Sequence, residues 1–170
     1  MMGSYAKAAA LACGLVVLTA CGGGASDAGR PCTMIAARQG VGLEIPAPYA
    51  AKVAEATMRI CWNGTCHQPE IHLSGTSRSV PQGCTGDGPD AVCGASASPD
   101  GGKQGFAAVT GLPTAPVQVT VTLRDVQGER LLHQKVDVTP HVTYPNGRHC
   151  GKGDPQAGLV VQDGKVTVRR

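Results

Sequence analysis

Residues 117–124 have the sequence Val-Gln-Val-Thr-Val-Thr-Leu-Arg, in which an apolar side chain stands at every second position. Successive side chains of a β-strand point to opposite faces of a sheet, so this alternation is typical of a strand with one buried face. Residues 132–139 (LHQKVDVT) alternate in the same way. The two segments therefore predict half-buried antiparallel strands.

A hairpin is predicted around Asn63-Gly64, because both positions of a type I′ turn need a positive φ, which Asn and Gly adopt readily. With this pair at the turn, Cys61 directly faces Cys66. Pro69 has no amide hydrogen to donate to a neighbouring strand, so residues 65–74 are expected to form an edge or bulged strand. One face of the hairpin is mostly apolar and holds Ala54, Ala56, Met58, Ile60 and Trp62 opposite Leu73, Ile71, Pro69, His67 and Thr65.

The C-terminal part of the chain predicts another hairpin. Leu159 and Val161 face Val168 and Val166 across an Asp163-Gly164 turn. No segment shows a convincing helical period. Seven to nine short strands with little helix predict an all-β fold, a disulfide-stapled antiparallel β-sandwich.

The N-terminal region has the features of an export signal. Lys7 is followed by the apolar residues 8–18 and then by Leu18-Thr19-Ala20-Cys21. The apolar run is about half of the ~20 residues that a membrane-spanning helix needs. The Leu-Thr-Ala-Cys tetrapeptide resembles the lipobox of bacterial lipoproteins, which implies cleavage before Cys21, acylation of its thiol and attachment to the membrane. The alternative is an ordinary cleavable signal peptide with a coincidental cysteine.

Three segments are therefore expected: a lipoprotein signal peptide at 1–20, the lipidated Cys21 with a flexible tether at 21–31, and a β-sandwich domain at 32–170. Removing residues 1–20 takes Lys7 away and lowers the net charge from +3 to +2. So small a charge, without a cluster of Lys and Arg, argues against a nucleic-acid partner. The expected location is the extracytoplasmic face of the cell membrane, held there by the lipid on Cys21.

Six cysteines remain after Cys13 leaves with the signal peptide and Cys21 is lipidated. An even number of cysteines in an exported chain predicts three disulfides, and six cysteines allow 15 connectivities. The alternative is a zinc or copper site built from cysteines with His67 and His149. Zinc motifs usually place two to four residues between paired cysteines, and the gaps here hold four and eight. An oxidising envelope favours disulfides over such a site.

Local geometry narrows the connectivities. Two strand residues that face each other across a tight turn lie within the range that a disulfide spans, which favours Cys61–Cys66. Cys84 and Cys93 enclose a turn-rich stretch that can close on itself. Cys32 and Cys150 are then left to join the two ends of the domain.

Part of the chain resembles a known type of domain. Gly105-Phe106-Ala-Ala-Val109, Leu112-Pro113, and the run from Val117 to Asp125 followed by Gly128 are similar to the central strands of immunoglobulin-like and transthyretin-like accessory domains of secreted bacterial proteins. This resemblance implies an immunoglobulin-like sandwich. The chain as a whole is similar to small actinobacterial envelope lipoproteins, a resemblance that implies no particular activity.

Residues 75–103 are rich in Gly, Ser, Pro and Asp and predict a long irregular loop that Cys84–Cys93 closes. Long loops in compact domains are usually functional or disordered. The alternative is a tolerated surface insertion. Carboxylates within this stretch could bind calcium, although the spacing of Asp87, Asp90 and Asp100 matches no EF-hand loop.

The sequence contains no HExxH motif, no Gly-x-Ser-x-Gly elbow and no P-loop. We therefore expect a non-enzymatic binding or scaffolding domain without a cofactor, whose partner is an envelope protein or another ligand. Its binding surface would be the stapled loop and the exposed edge of the Asn63-Gly64 hairpin. The alternative is an envelope metal-binding protein or small hydrolase, with a site assembled from His67, His72, His133, His141, His149, Asp87 and Asp90.

Overall fold

The computed structural model describes residues 31–33, 35–86 and 88–169. The predicted signal peptide, Cys21 and most of the tether lie outside these residues. Residues Cys32–Arg170 make up one compact unit. No helix among the described residues is long and apolar enough to cross a membrane. The strands are β1 (Gly40–Ile45), β2 (Glu55–Trp62), β3 (Thr65–His67), β4 (Ser74–Thr85), β5 (Val92–Ala108), β6 (Val117–Arg124), β7 (Arg130–Val138), β8 (His141–Val142), β9 (Pro155–Gln162) and β10 (Lys165–Val168).

The strands form two sheets. Sheet A has the order β10-β9-β1-β5-β4, with the short β8 beside β9, and sheet B has the order β3-β2-β6-β7. The all-β, disulfide-stapled sandwich predicted from the sequence is confirmed. The number of strands and the direction of one pairing differ from the expectation. The described residues form ten strands rather than seven to nine, and β1 pairs with β9 in parallel.

The core lies between the two sheets. Along β6, every second residue from Val117 to Leu123 is buried, as the alternation of the sequence predicts. Alternate residues of β1 and β2 are buried in the same way. Burying these aliphatic side chains stabilises the fold by about 1.5–3 kcal/mol each. The buried apolar residues of the strands are Val41, Leu43, Ile45, Ala56, Met58, Ile60, Ala107, Val117, Val119, Val121, Leu123, Leu132, Val138, Leu159, Val161 and Val166.

Both predicted hairpin turns are confirmed. Asn63 has a φ of 49° and Gly64 a φ of 75°, while Asp163 and Gly164 have φ values of 50° and 71°. These positive values fit type I′ turns, whose twist matches that of the adjoining strands. The pairings Cys61–Cys66 and Val161–Val166 follow from them.

The prediction that the β2–β3 hairpin continues to residue 74 is wrong. β3 ends at His67, two residues before Pro69, which cannot donate to a strand ladder. Residues 68–73 instead cross to sheet A, where Ile71 and Leu73 pack against the core. This crossing needs glycine at position 105, because a Cβ there would lie 2.6 Å from Cγ2 of Ile71.

The structure has the three disulfides favoured by the sequence argument. Cys32–Cys150 joins residues 118 positions apart, with Cα atoms separated by 5.6 Å. Cys61–Cys66 and Cys84–Cys93 each join facing strand residues whose Cα atoms are 4.0 Å apart. The long bridge therefore closes the domain, and the two short bridges fix single hairpins.

The prediction of an irregular loop over residues 75–103 is wrong. This stretch forms a long two-stranded ribbon from β4 and the first part of β5, with Cys84–Cys93 next to its tip. No residue of β4 is buried, and the outer part of β5 is also exposed. Strand pairing satisfies the backbone without an apolar face, so the side-chain pattern of the ribbon carries no strand signal. We call residues 77–86 and 88–99 the ribbon.

Candidate functional site

The outer face of sheet A carries a groove with a floor of backbone. Gly42 of β1 pairs with Gly158 of β9 on one side and with Phe106 of β5 on the other. Val41 and Leu43 are buried, so Gly42 faces outward. Two neighbouring outward positions without side chains leave a depression, and the space above it has a volume of about 380 Å³.

One wall of the groove is aromatic and cationic. The guanidinium carbon of Arg38 lies 4.8 Å from the centroid of the Phe106 ring, a cation–π arrangement. The Gln156 side-chain amide donates a hydrogen bond of 2.6 Å to the backbone carbonyl of Arg38. This bond holds the segment that carries Arg38 against β9. The wall therefore presents a positive charge stacked on an apolar surface.

The opposite wall is an ion pair. Nη1 of Arg169 lies 3.5 Å from Oε2 of Glu44, and both side chains are about half exposed. The backbone amide of Arg169 donates to the carbonyl of Gly158 at 2.9 Å, which places the side chain of Arg169 over that glycine. Exposed pairs of this kind contribute little to stability. Both charged groups therefore remain able to contact a ligand.

The groove continues into the base of the ribbon. Its third side consists of His72, Ser74 and Gln104, the last two being facing residues of β4 and β5. His72 is itself exposed and lies 3.2 Å from Glu70. The groove and the ribbon therefore make one surface, because the strands that border the groove are the strands that form the ribbon.

The base of the ribbon is built around Asp100. Two additional residues of β5 interrupt the pairing between Gly75–Lys103 and Ser77–Pro99, and Gly101 takes a φ of 79° there. The hydrogen bond from the Thr76 hydroxyl, aided by the Gly102 amide, lowers the pKa of the Asp100 carboxyl below its usual value. An ionised carboxylate therefore fixes the irregularity from which the ribbon projects.

The groups of the groove suit recognition of a polar ligand. Two guanidinium groups, one carboxylate, two amides and an aromatic ring line an open depression. Such sites orient a ligand by a few polar contacts while an apolar surface removes part of it from water. The arrangement can bind a ligand that combines a flat or apolar part with anionic or hydrogen-bonding groups.

The structure places the histidines of the alternative hypothesis in different elements. His67 stacks on Trp62 with ring centroids 4.1 Å apart. His133, on the outer face of β7, contacts Thr122 of β6. His72 borders the groove, and His141 lies in β8. Within the described residues, a cluster of at least three potential metal-ligating side chains occurs only at Cys32, His149 and Cys150. The two cysteines there form a disulfide, so neither offers a thiolate.

The aspartates proposed for calcium are not gathered. Asp90 lies in a short 3₁₀ turn at the tip of the ribbon, and Asp100 lies at its base. About eight strand residues separate them, a distance of roughly 25 Å at the rise of an extended strand. Asp87 lies outside the described residues.

Sequence reasoning missed the groove. Its defining feature is glycine at strand positions 42 and 158, inside segments that otherwise alternate. Glycine within a strand often marks a place where another group approaches the backbone closely, so these positions carried a usable signal. Arg38 and Arg169 carried none, because they lie outside the strands and reach the site only through the tertiary fold.

Comparison with protein-family models, with curated proteins and with solved structures gives no match for this chain. The resemblance of the chain to immunoglobulin-like or transthyretin-like domains and to actinobacterial lipoproteins therefore stays a prediction.

Proposed function

We propose that this chain is a lipid-anchored protein of the cell envelope, whose β-sandwich binds a partner on the extracytoplasmic side without converting it chemically. The lipobox-like Leu18-Thr19-Ala20-Cys21 supports the anchor. The continuous surface of groove and ribbon supports the binding role.

The observation that carries this proposal is the ribbon. It buries no side chain of β4 in the core, yet a disulfide near its tip and the hydrogen-bonded Asp100 at its base keep it in shape. Because the ribbon adds no apolar burial to the core, its cross-linked shape favours a role in contacts that its exposed side chains make with a partner. A ribbon cross-linked by a disulfide has less conformational entropy to lose on binding than an open loop, which favours recognition.

The ribbon is suited to recognition through side chains. β4 lies at the edge of sheet A, and Arg78 and Pro81 stand on it. Charged residues and proline on an edge strand discourage pairing with a further strand. The partner is therefore expected to contact the faces of the ribbon and the adjoining groove.

Site-specific photo-crosslinking in cells tests the binding surface. A benzophenone side chain at Ser79 of the ribbon should give one discrete crosslinked product. The same group at Gln127, in the exposed β6–β7 turn, serves as the control and should give none. Equal products from both positions, or no product from Ser79, would contradict the proposal.

A groove variant sharpens this test. A Cβ at Gly42 would meet its nearest atoms at 3.8 and 3.9 Å, so Gly42→Val should fit the strand while filling the groove. We expect it to reduce the Ser79 crosslink and leave the melting temperature unchanged. An undiminished Ser79 crosslink in Gly42→Val would show that the groove is not part of the binding surface.

The anchor has its own test. Metabolic labelling with an alkyne fatty acid should mark the native protein, and Cys21→Ser should abolish the label. Cys13→Ser is the matched control, because Cys13 lies within the predicted signal peptide and should not affect labelling. Label that survives in Cys21→Ser would contradict lipidation at this residue.

A further inference from the structure

The outer face of sheet B carries a second set of polar side chains, outside the groove and the ribbon. Its centre is a block of two rows across three strands. Arg59, Thr120 and Lys135 form one row, and Thr57, Thr122 and His133 form the next, as the strand register requires. We call these six residues the threonine–cation cluster. They border a space of about 610 Å³ together with Gln68.

The donors of this cluster are largely unused. Within the described part of the chain, the side chains of Arg59, Lys135, Thr57 and Thr120 take part in none of the hydrogen bonds or ion pairs. Neighbouring strands lie about 4.8 Å apart, so Arg59 and Lys135 flank Thr120 at roughly 10 Å from each other. Two cations and two free hydroxyls therefore converge on one patch.

Thr122 and His133 add a donor whichever way their hydrogen bond runs. Oγ1 of Thr122 lies 2.9 Å from Nδ1 of His133. If the hydroxyl donates, the neutral ring carries its proton on Nε2, which is then an outward donor. If Nδ1–H donates, the hydroxyl hydrogen is free to point outward. Both arrangements present one hydrogen to a ligand at this position.

The acidic residues of this face lie outside the cluster. Glu55 belongs to the next row beyond Thr57, where it faces Arg124, and Asp137 belongs to the row beyond Lys135, where it faces Gln118. Among the described residues, no carboxylate borders the space above the cluster. The centre of the face is therefore positive and rich in donors, and it favours an anionic ligand.

We propose that the threonine–cation cluster is a binding site for a phosphate group, centred on Thr120 between Arg59 and Lys135. A phosphate presents oxygens in several directions and can accept from donors on both rows and all three strands. Arginine and lysine are the side chains that commonly bind phosphate, the former through its planar fork. The space of about 610 Å³ exceeds a phosphate group and leaves room for the remainder of an ester.

Titration of the full, ¹⁵N-labelled chain in dodecyl maltoside micelles with inorganic phosphate tests the site, at constant ionic strength set with sodium chloride. We expect saturable shifts at Thr120, Arg59 and His133. Arg59→Gln with Lys135→Gln should weaken binding about tenfold, since each exposed charged contact contributes only a factor of about three. Thr120→Val, which keeps the shape and β propensity of the strand, should weaken it as well.

The matched control is Lys52→Gln with Lys165→Gln, which removes the same charge from the short turn before β2 and from β10. It should bind phosphate like the native chain. Equal weakening in both double variants, or the absence of saturable shifts at Thr120, would overturn the proposal.

A second titration identifies the source of the phosphate group. Dihexanoyl phosphatidylglycerol is added in place of inorganic phosphate, with the zwitterionic phosphatidylcholine of the same chain length as its control. Shifts at Thr120 with inorganic phosphate and with phosphatidylglycerol, but not with phosphatidylcholine, would support the site and assign it to an anionic lipid headgroup. Shifts with inorganic phosphate but with neither lipid would support the site and assign it to the free anion.

Discussion

The carboxylate of Asp100 accepts a hydrogen bond from the hydroxyl of Thr76 on the opposite strand, at the point where the ribbon leaves sheet A. The same oxygen accepts the backbone amide of Gly102 at 3.0 Å. Both donors stabilise the ionised form, which is why the pKa of Asp100 is lowered. The shape of the ribbon base is thus linked to one charge.

This linkage predicts a loosening of the ribbon base in acid. The folded-state pKa of Asp100 lies below the ordinary aspartate value of 3.8, so the stabilisation is complete above that value. It is lost as the pH falls through the lower, folded-state pKa. The amide signals of Gly102 and Thr76, followed by NMR between about pH 6 and pH 2, should shift in this acidic range. Asp100→Asn keeps an acceptor but does not titrate, and the same shifts in that variant would contradict the assignment.

Removal of Cys32–Cys150 should destabilise the domain most. The loop that it closes spans 118 positions, and the loop-entropy relation assigns such a bridge about 5 kcal/mol. A bridge over a short hairpin is assigned about 2–3 kcal/mol. Urea unfolding should therefore show a larger loss of free energy for Cys32→Ser/Cys150→Ser than for the matched Cys61→Ser/Cys66→Ser. Equal losses would show that the closing bridge constrains the unfolded chain less than its length implies.

Removal of Cys84–Cys93 should have a local effect. The ribbon contributes no buried side chain from β4, so it can fray while the core stays folded. Amide hydrogen exchange should accelerate at residues 77–85 and 92–99 in Cys84→Ser/Cys93→Ser. The amides of β6 act as the internal control and should keep their protection. Faster exchange throughout β6 would mean that the ribbon and the core unfold together.

Glycine at position 105 should be essential for packing. A Cβ there would lie 2.6 Å from Ile71, 3.2 Å from Leu73 and 3.3 Å from the carbonyl of His72. Gly105→Ala should therefore cost about 1–3 kcal/mol, since the crossing segment must move. Gly75→Ala is the control, because its Cβ would have no atom within 4 Å. Thermal unfolding that shows the same stability for both variants would contradict this account.

The parts of the fold that follow from the sequence are those governed by local rules. The alternation of residues 117–124 predicts which side of β6 is buried, and the turn pairs Asn63-Gly64 and Asp163-Gly164 predict two registers. Turn geometry also places Cys61 opposite Cys66. Each of these features depends on neighbouring residues alone, which is why the sequence suffices.

The other parts depend on contacts that no local pattern encodes. The ribbon has solvent on both faces, so its strands lack the apolar alternation by which strands are recognised. The parallel pairing of β1 with β9 joins distant segments of the chain. The groove requires β1, β5 and β9 side by side before Gly42, Gly158 and Phe106 become neighbours. For the candidate site, the segment closed by Cys84–Cys93 could thus be predicted from the sequence, whereas the groove beside it could not.

The position of β1 in sheet A constrains the order in which the protein can acquire its structure. β1 lies between β5 and β9, and β9 is synthesised long after both of the others. Until residues 155–162 are available, one hydrogen-bonding edge of β1 stays open beside the apolar Val41, Leu43 and Ile45. An open edge next to an apolar strand is prone to aggregate. A chain truncated before β9, or delayed during its synthesis or transfer, is therefore exposed to aggregation in a way that the completed domain is not.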